Sequence, residues 1–248
     1  MKIVYALLAL AVFAYGFVAV DIYFRQQSIL YGPTARTGLK SALLSWTLGD
    51  RTIGYAREIA HPKTCWLLLH GNAGQAQQRD YVLPLLAPTD ALYVLEYPGF
   101  GFRAGKPSRE SINAAAFEAY EHLRTLNPGT PIAVIGESLG SGPACELARA
   151  AVPPDKIVLI TPFDSLVNVA KGHFPFLPMG LMLRDRWDNV AALRTYRGPV
   201  EIFASLEDEV IPFRHAKSLA DQHPGAVLRT MTGGHNDWSR NGDVRISR

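Results

Sequence analysis

From Ile3 to Val20 every position is apolar or glycine, between Lys2 and Asp21. The run has no polar face, unlike the half-buried surface helix of a soluble domain. Its length is near the lower limit for crossing a hydrocarbon core of ~30 Å. Residues 1–22 are therefore expected to form a helical membrane anchor. A signal segment, with Ala14-Tyr15-Gly16 as a poor cleavage site, and a buried core helix are the other two readings. Lys2 and the free amine lie on one side, and Arg25, Arg36 and Lys40 on the other. The positive-inside rule therefore leaves the side of the membrane open.

Beyond this run the pattern changes. Residues 23–40 are polar and turn-rich and read as a linker. The runs LLSWTL and RTIGYAREI, separated by Gly49-Asp50, predict a β-hairpin. Short apolar runs then alternate with helical stretches: TCWLLLH and QQRDYVLPLLA, ALYVLEY and SINAAAFEAYEHLRTL, PIAVIGE and GPACELARAA. KIVLITP, VEIFAS, FRHAKSLADQ and AVLRTM continue the series. Strands that are apolar along both faces belong to a mostly parallel central sheet with helices on both sides. The prediction is one α/β domain over residues 41–248, with its functional residues at the carboxyl edge of the strands.

Composition narrows the classes. The chain has 248 residues, is 48% hydrophobic and carries a formal charge of +3. That is ample for a full core, and basic residues are scattered rather than clustered, so no nucleic-acid partner is expected. Cys65 and Cys145, the only two cysteines, each sit in an apolar run and read as buried small hydrophobes. No Cys/His spacing resembles a metal site, and no cofactor is expected.

Gly136-Glu137-Ser138-Leu139-Gly140 follows a strand and precedes a helical run. In that setting G-x-S-x-G forms a sharp strand-to-helix turn that lifts a nucleophilic serine above the sheet. Without the turn, Ser138 would merely cap a helix. His70-Gly71-Asn72-Ala73-Gly74 directly follows the strand-like run TCWLLL, a βαβ unit ahead of the serine turn. Its backbone can approach a developing oxyanion, with Asn72 and Leu139 as the expected N–H donors. Among seven histidines, His235 stands in a glycine-lined loop after the last strand and is the expected base. Asp208 and Asp164 each follow a strand. Asp208 is favoured as the acid because its strand comes next before His235. Asp164 reads otherwise as a helix cap.

HGNAG, EYPGFG…GKPS, GESLG, LEDEVIP and GGHND, in that order, resemble the Bem46 and ABHD13/ABHD17-like branch of the α/β-hydrolases, over roughly residues 40–240. The resemblance implies an α/β-hydrolase fold, a serine hydrolase activity, an N-terminal hydrophobic segment and a triad of Ser138, Asp208 and His235. Some relatives remove acyl groups from cysteine thioesters. The chain departs from the branch at Pro98, where Arg is common, and at Phe102-Arg103, where Lys-Ser is usual. Both lie beside the site and bear on substrate preference.

The stretch 172–187, GHFPFLPMGLMLRDRW, interrupts the alternation. It is expected to form a small apolar lid, with Phe174, Phe176, Leu177, Met179 and Met182 lining an acyl pocket. Otherwise it only packs on the sheet. The expected activity is cleavage of a small acyl ester or thioester at a membrane. A peptidase of the prolyl-oligopeptidase type is the rival within enzymes, disfavoured because no propeller accompanies the domain. A membrane-anchored binding protein on the same scaffold is the rival outside them.

Overall fold

The computed structural model describes residues 1–248. An N-terminal helix α1 (Lys2–Tyr31) leads into eight strands: β1 (Leu44–Leu48), β2 (Arg51–Arg57), β3 (Cys65–Leu69), β4 (Ala91–Leu95), β5 (Ile132–Glu137), β6 (Lys156–Ile160), β7 (Val200–Ser205) and β8 (Val227–Met231). Between them run α2 (Arg109–Leu126), α3 (Ser141–Glu146), α4 (Leu166–His173), α5 (Met179–Met182), α6 (Asn189–Leu193) and α7 (Arg214–Gln222).

All eight strands form one sheet in the order β1-β2-β4-β3-β5-β6-β7-β8. β2 pairs antiparallel with β1 and with β4, and every later pairing is parallel. The apolar runs explain this. Side chains alternate across a sheet. Cys65, Leu67 and Leu69 of β3 enter the core on one face, while Trp66 and Leu68 enter the core on the other. With both faces covered by protein, continuous apolar strands are stable. Cys65 and Cys145 are free and buried, and burial pushes the Cys65 thiol up to about 12.

Two elements differ from the sequence expectation. Residues 23–31 are not linker but the end of α1. The segment Asp21–Tyr31 holds no Gly or Pro, and the helix stops only at Gly32, with φ +52, just before Pro33. Gly in the left-handed region followed by Pro is a common helix stop. The stretch after β3, expected to be an α-helix, is instead a run of 3₁₀ turns over Ala76–Leu85, kinked at Arg79 and containing Pro84. A proline there removes a donor and collides with the preceding turn.

α1 is long and apolar enough to cross a membrane, with a mean hydropathy of 2.5 over its best window and none of that window buried. Its C-terminal end docks on the domain. Tyr31 is fully buried and its carbonyl accepts from Ala73 N at 2.8 Å. Pro33 bridges to Gly74.

Candidate active site

The carboxyl ends of the parallel strands converge at one edge of the sheet. β5 ends at Glu137, and the next residue, Ser138, has φ +50 in a 3₁₀ turn that passes directly into α3. Holding a non-glycine residue there costs about 1–3 kcal/mol, strain typical of functional turns. The flanking glycines allow it. A Cβ at Gly136 would lie 2.6 Å from Ala144 Cβ, and one at Gly140 would lie 1.9 Å from the Leu69 carbonyl oxygen. Ser141 Oγ braces the turn by donating to Ser138 O at 2.7 Å.

His235 reaches this serine from the loop after β8. Its Nε2 lies 2.9 Å from Ser138 Oγ and its Nδ1 lies 2.8 Å from Asp208 Oδ2. A carboxylate only accepts, so Nδ1 carries the proton and Nε2 is left to accept from the serine hydroxyl. Asp208 is fixed in turn: its Oδ1 accepts from Val210 N at 2.9 Å and Ile211 N at 2.8 Å. The histidine loop is held by Asp237, which accepts from Gly234 N at 2.8 Å, and by Ser205 Oγ, which donates to Gly233 O.

Asp164, the alternative acid, faces a different histidine. His215 Nδ1 of α7 lies 2.8 Å from Asp164 Oδ1. Asp164 also accepts from Ser165 N at 2.6 Å and Asn168 Nδ2 at 2.9 Å. Burial pushes its carboxyl up, but the hydrogen bonds from His215, Asn168 and Ser165 together outweigh burial and hold it below the usual carboxylate range. The cap of α4 is Ser165 rather than Asp164.

Asn72 and Leu139 both border the cavity at Ser138. Leu139 lies in the first turn of a helical segment, where N–H groups have no partner within the helix. The loop carrying Asn72 is tied on either side. Ala73 N donates to Tyr31 O, and Gly71 N donates to Glu137 Oε2 at 3.2 Å. Glu137, the residue before the serine, is buried and also accepts from Tyr81 Oη at 3.2 Å and Trp238 Nε1 at 3.3 Å. One carboxylate thus joins the serine turn, the Asn72 loop and the His235 loop, a role that G-x-S-x-G does not reveal.

The cavity above Ser138 holds about 430 Å³, and 13 of its 17 lining residues are hydrophobic. Of the five residues expected to line it, Phe174 and Met179 do so, whereas Phe176, Leu177 and Met182 do not. Phe176 points outward and is 87% exposed. Leu177 is half-buried, and with Phe176 it faces a second groove, against α1. The missing wall comes from Ile22, Gln26, Ile29 and Leu30 of α1, and from Val210 and Ile211 beside Asp208. The four α1 residues lie at i, i+4, i+7 and i+8, a helical spacing present in the sequence. The expected boundary between anchor and linker falls inside this set, placing Ile22 in the anchor and Gln26, Ile29 and Leu30 in the linker, and so hides the spacing. Pro98, Phe102 and Arg103 do not line this cavity. Arg103 instead donates to Glu96 O at 2.7 Å and approaches Glu118 at 3.3 Å.

A mostly parallel sheet, a serine on a strained strand-to-helix turn, and an aspartate and a histidine after the last two strands define, as a class, the α/β-hydrolase scaffold. Comparison with known proteins agrees. The model of the alpha/beta hydrolase family matches residues 66–244, and the chain belongs to that family. It is 32% identical to an uncharacterised protein of Mycobacterium tuberculosis over 69% of this chain and 62% of that protein. It is 30% identical to alpha/beta hydrolase domain-containing protein 17B of Xenopus tropicalis over 74% of this chain and 64% of the relative. Identity to the lysophosphatidylserine lipase ABHD12 of Macaca fascicularis is 26%, over 69% of this chain and 48% of that protein. The chain thus spans less than two thirds of the length of these relatives. Among solved structures, the Pyrococcus furiosus esterase Pf2001 shares the fold, with a TM-score of 0.64 at 14% identity over 84% of this chain and 90% of that one.

Proposed function

We propose that the chain is a serine hydrolase that cleaves carboxylic ester or thioester bonds of acyl substrates through an acyl-enzyme, held at a membrane by α1. The observation that carries this reading is the relay from Asp208 through His235 to Ser138, at 2.8 and 2.9 Å, opening onto an apolar cavity. Ser138 Oγ attacks the acyl carbonyl carbon and its proton passes to His235 Nε2. The Asn72 and Leu139 N–H groups stabilise the oxyanion. His235 returns the proton to the departing alcohol or thiol. Water, activated by the same imidazole, then frees the acid and restores the serine. The apolar wall favours an acyl chain, and the word lipase in one relative's name is consistent with that.

The test is Ser138→Ala. Fluorophosphonate labelling should vanish, and turnover of a p-nitrophenyl ester should fall by several orders of magnitude, about 10⁶-fold where nucleophile and base act as a unit. A folded variant that labels as the wild type does would refute the assignment.

A further inference from the structure

Two apolar depressions meet at α1. The cavity at Ser138 is walled on one side by Ile22, Gln26, Ile29 and Leu30. A second groove runs down the helix between Ala14, Tyr15 and Val18 and the segment Phe174–Leu177. The two share Ile22, His173 and Phe174, so one largely apolar path leads from the serine to the second half of the uninterrupted apolar run of α1.

The depth of this path follows from helix geometry. Asp21 is the first charged residue after Lys2. Tyr15 lies about 8 Å before Val20 along the helix axis at 1.5 Å per residue. Tyr15 Oη donates to Phe176 O at 2.9 Å, so the tip of the lid lies level with the apolar run, on the membrane side of Asp21. Phe176 and Leu181 project from this lid with exposures of 87% and 82%.

Most of the lid's backbone donors suit such a place. Pro175 and Pro178 have no N–H, and the N–H groups of Leu177, Met179 and Leu181 all bond within the segment. Lipid tolerates non-helical backbone only where its polar groups are satisfied by protein. Above the lid, Arg184 stacks on Tyr23 with its Cζ 4.3 Å from the ring centre, a pair suited to the headgroup level. Gln26 fixes the lid to the helix, donating to Met182 O at 3.2 Å and accepting from Arg184 N at 2.8 Å.

We propose that the groove between α1 and the Phe174–Leu183 segment is a lateral entrance, seated in the bilayer by Phe176 and Leu181, through which the acyl chain of a membrane-resident ester lipid reaches Ser138. This rests on the reading of Ser138 as nucleophile and of α1 as anchor. The lipid leaves its headgroup near Arg184, slides its chain past Ile22 and Phe174, and never has to enter water.

The test uses the full chain reconstituted in phosphatidylcholine vesicles. Cys65 and Cys145 are buried, so a cysteine introduced by Phe176→Cys takes a nitrobenzoxadiazole label selectively. Brominated phosphatidylcholine should quench that label and should spare one placed by Thr125→Cys, at the opposite edge of the sheet. In a second arm, Phe176→Asp with Leu181→Asp should lower turnover of a vesicle-embedded long-chain fluorogenic ester about tenfold, because seating strength scales with the apolar area inserted. Turnover of soluble p-nitrophenyl acetate should stay at the wild-type level, which also reports that the variant folds.

An unquenched label at position 176, or wild-type turnover of the embedded ester by the double variant, overturns the entrance. The parent readings fail differently. A wild-type chain inactive on the soluble ester refutes the nucleophile, and one extracted from vesicles by alkaline carbonate refutes the anchor.

Discussion

Two Asp–His pairs stand at the same edge of the sheet, and only one of them reaches a serine. Asp208→Asn should reverse the imidazole tautomer and lower turnover by about 10⁴. Asp164→Asn should leave the chemical step nearly intact and lower stability instead, by about 1.5–3 kcal/mol at neutral pH, the range for hydrogen bonds to a charged group. The pH dependence has a definite sign. The folded carboxyl of Asp164 titrates below its usual range, so its contribution is fully present above the unfolded value of about 4 and is lost as pH falls through the lower folded value. The stability gap between wild type and Asp164→Asn should therefore close in acid. Thermal unfolding at neutral and acidic pH, alongside kcat/KM for both variants, checks this; a gap that widens in acid contradicts the assignment. At this scale the sequence was readable wherever glycine and strand order constrain a side chain. Gly136, Gly140 and the Gly233-Gly234 pair marked Ser138 and His235. Glu137 was not readable, because its partners Gly71, Tyr81 and Trp238 lie far apart in the chain and meet only on folding.

Among the elements, α1 separates composition from structure most clearly. The strands were legible because continuous apolar runs flanked by turns have few alternatives. The boundary of α1 was not. Asp21, Arg25, Gln26 and Gln27 make the segment look like linker, yet it remains helical because nothing stops it before Gly32. The helix thereby does two jobs, with an apolar first part and a second part that serves the domain. Tyr31 is wholly buried and its carbonyl holds Ala73 N beside the Asn72 loop. A chain beginning at Asp21 keeps these contacts, and should hydrolyse a short soluble ester at close to the full-length rate. A chain beginning at Gly32 loses them. Tyr31→Ala in the full chain isolates the effect and should cost about 3–5 kcal/mol, as for other large aromatic truncations. It should also slow turnover, since a small displacement of the proposed oxyanion donors is expensive. Equal melting temperature and kcat for the chains beginning at Asp21 and Gly32 would show that the end of α1 is only a tether.

For the whole molecule, the cavity is assembled from parts distant in sequence: α1, the turn after β3, the serine turn, the lid and the loop of Asp208. The sequence marks residues 172–187 as an apolar interruption but not which of their side chains turn inward. In the segment 172–187 the apolar residues are too dense for any spacing to single out a buried set, and the structure turns Phe174 and Met179 inward while leaving Phe176 outside. This division makes a graded prediction for soluble p-nitrophenyl esters. Each methylene buried in the cavity contributes up to ~0.8 kcal/mol, so kcat/KM should rise from acetate to hexanoate by up to a few hundredfold. Phe174→Ser with Met179→Ser should flatten that rise, since both side chains form the wall. Phe176→Ser should keep the wild-type slope, because in water its ring touches no part of a short acyl chain. The measurement is kcat/KM across the ester series for the three proteins, below micelle-forming concentrations. A profile that falls steadily from acetate, or a Phe176→Ser slope as flat as that of the double variant, would show that acyl chains bind elsewhere than the cavity walled by α1 and the lid.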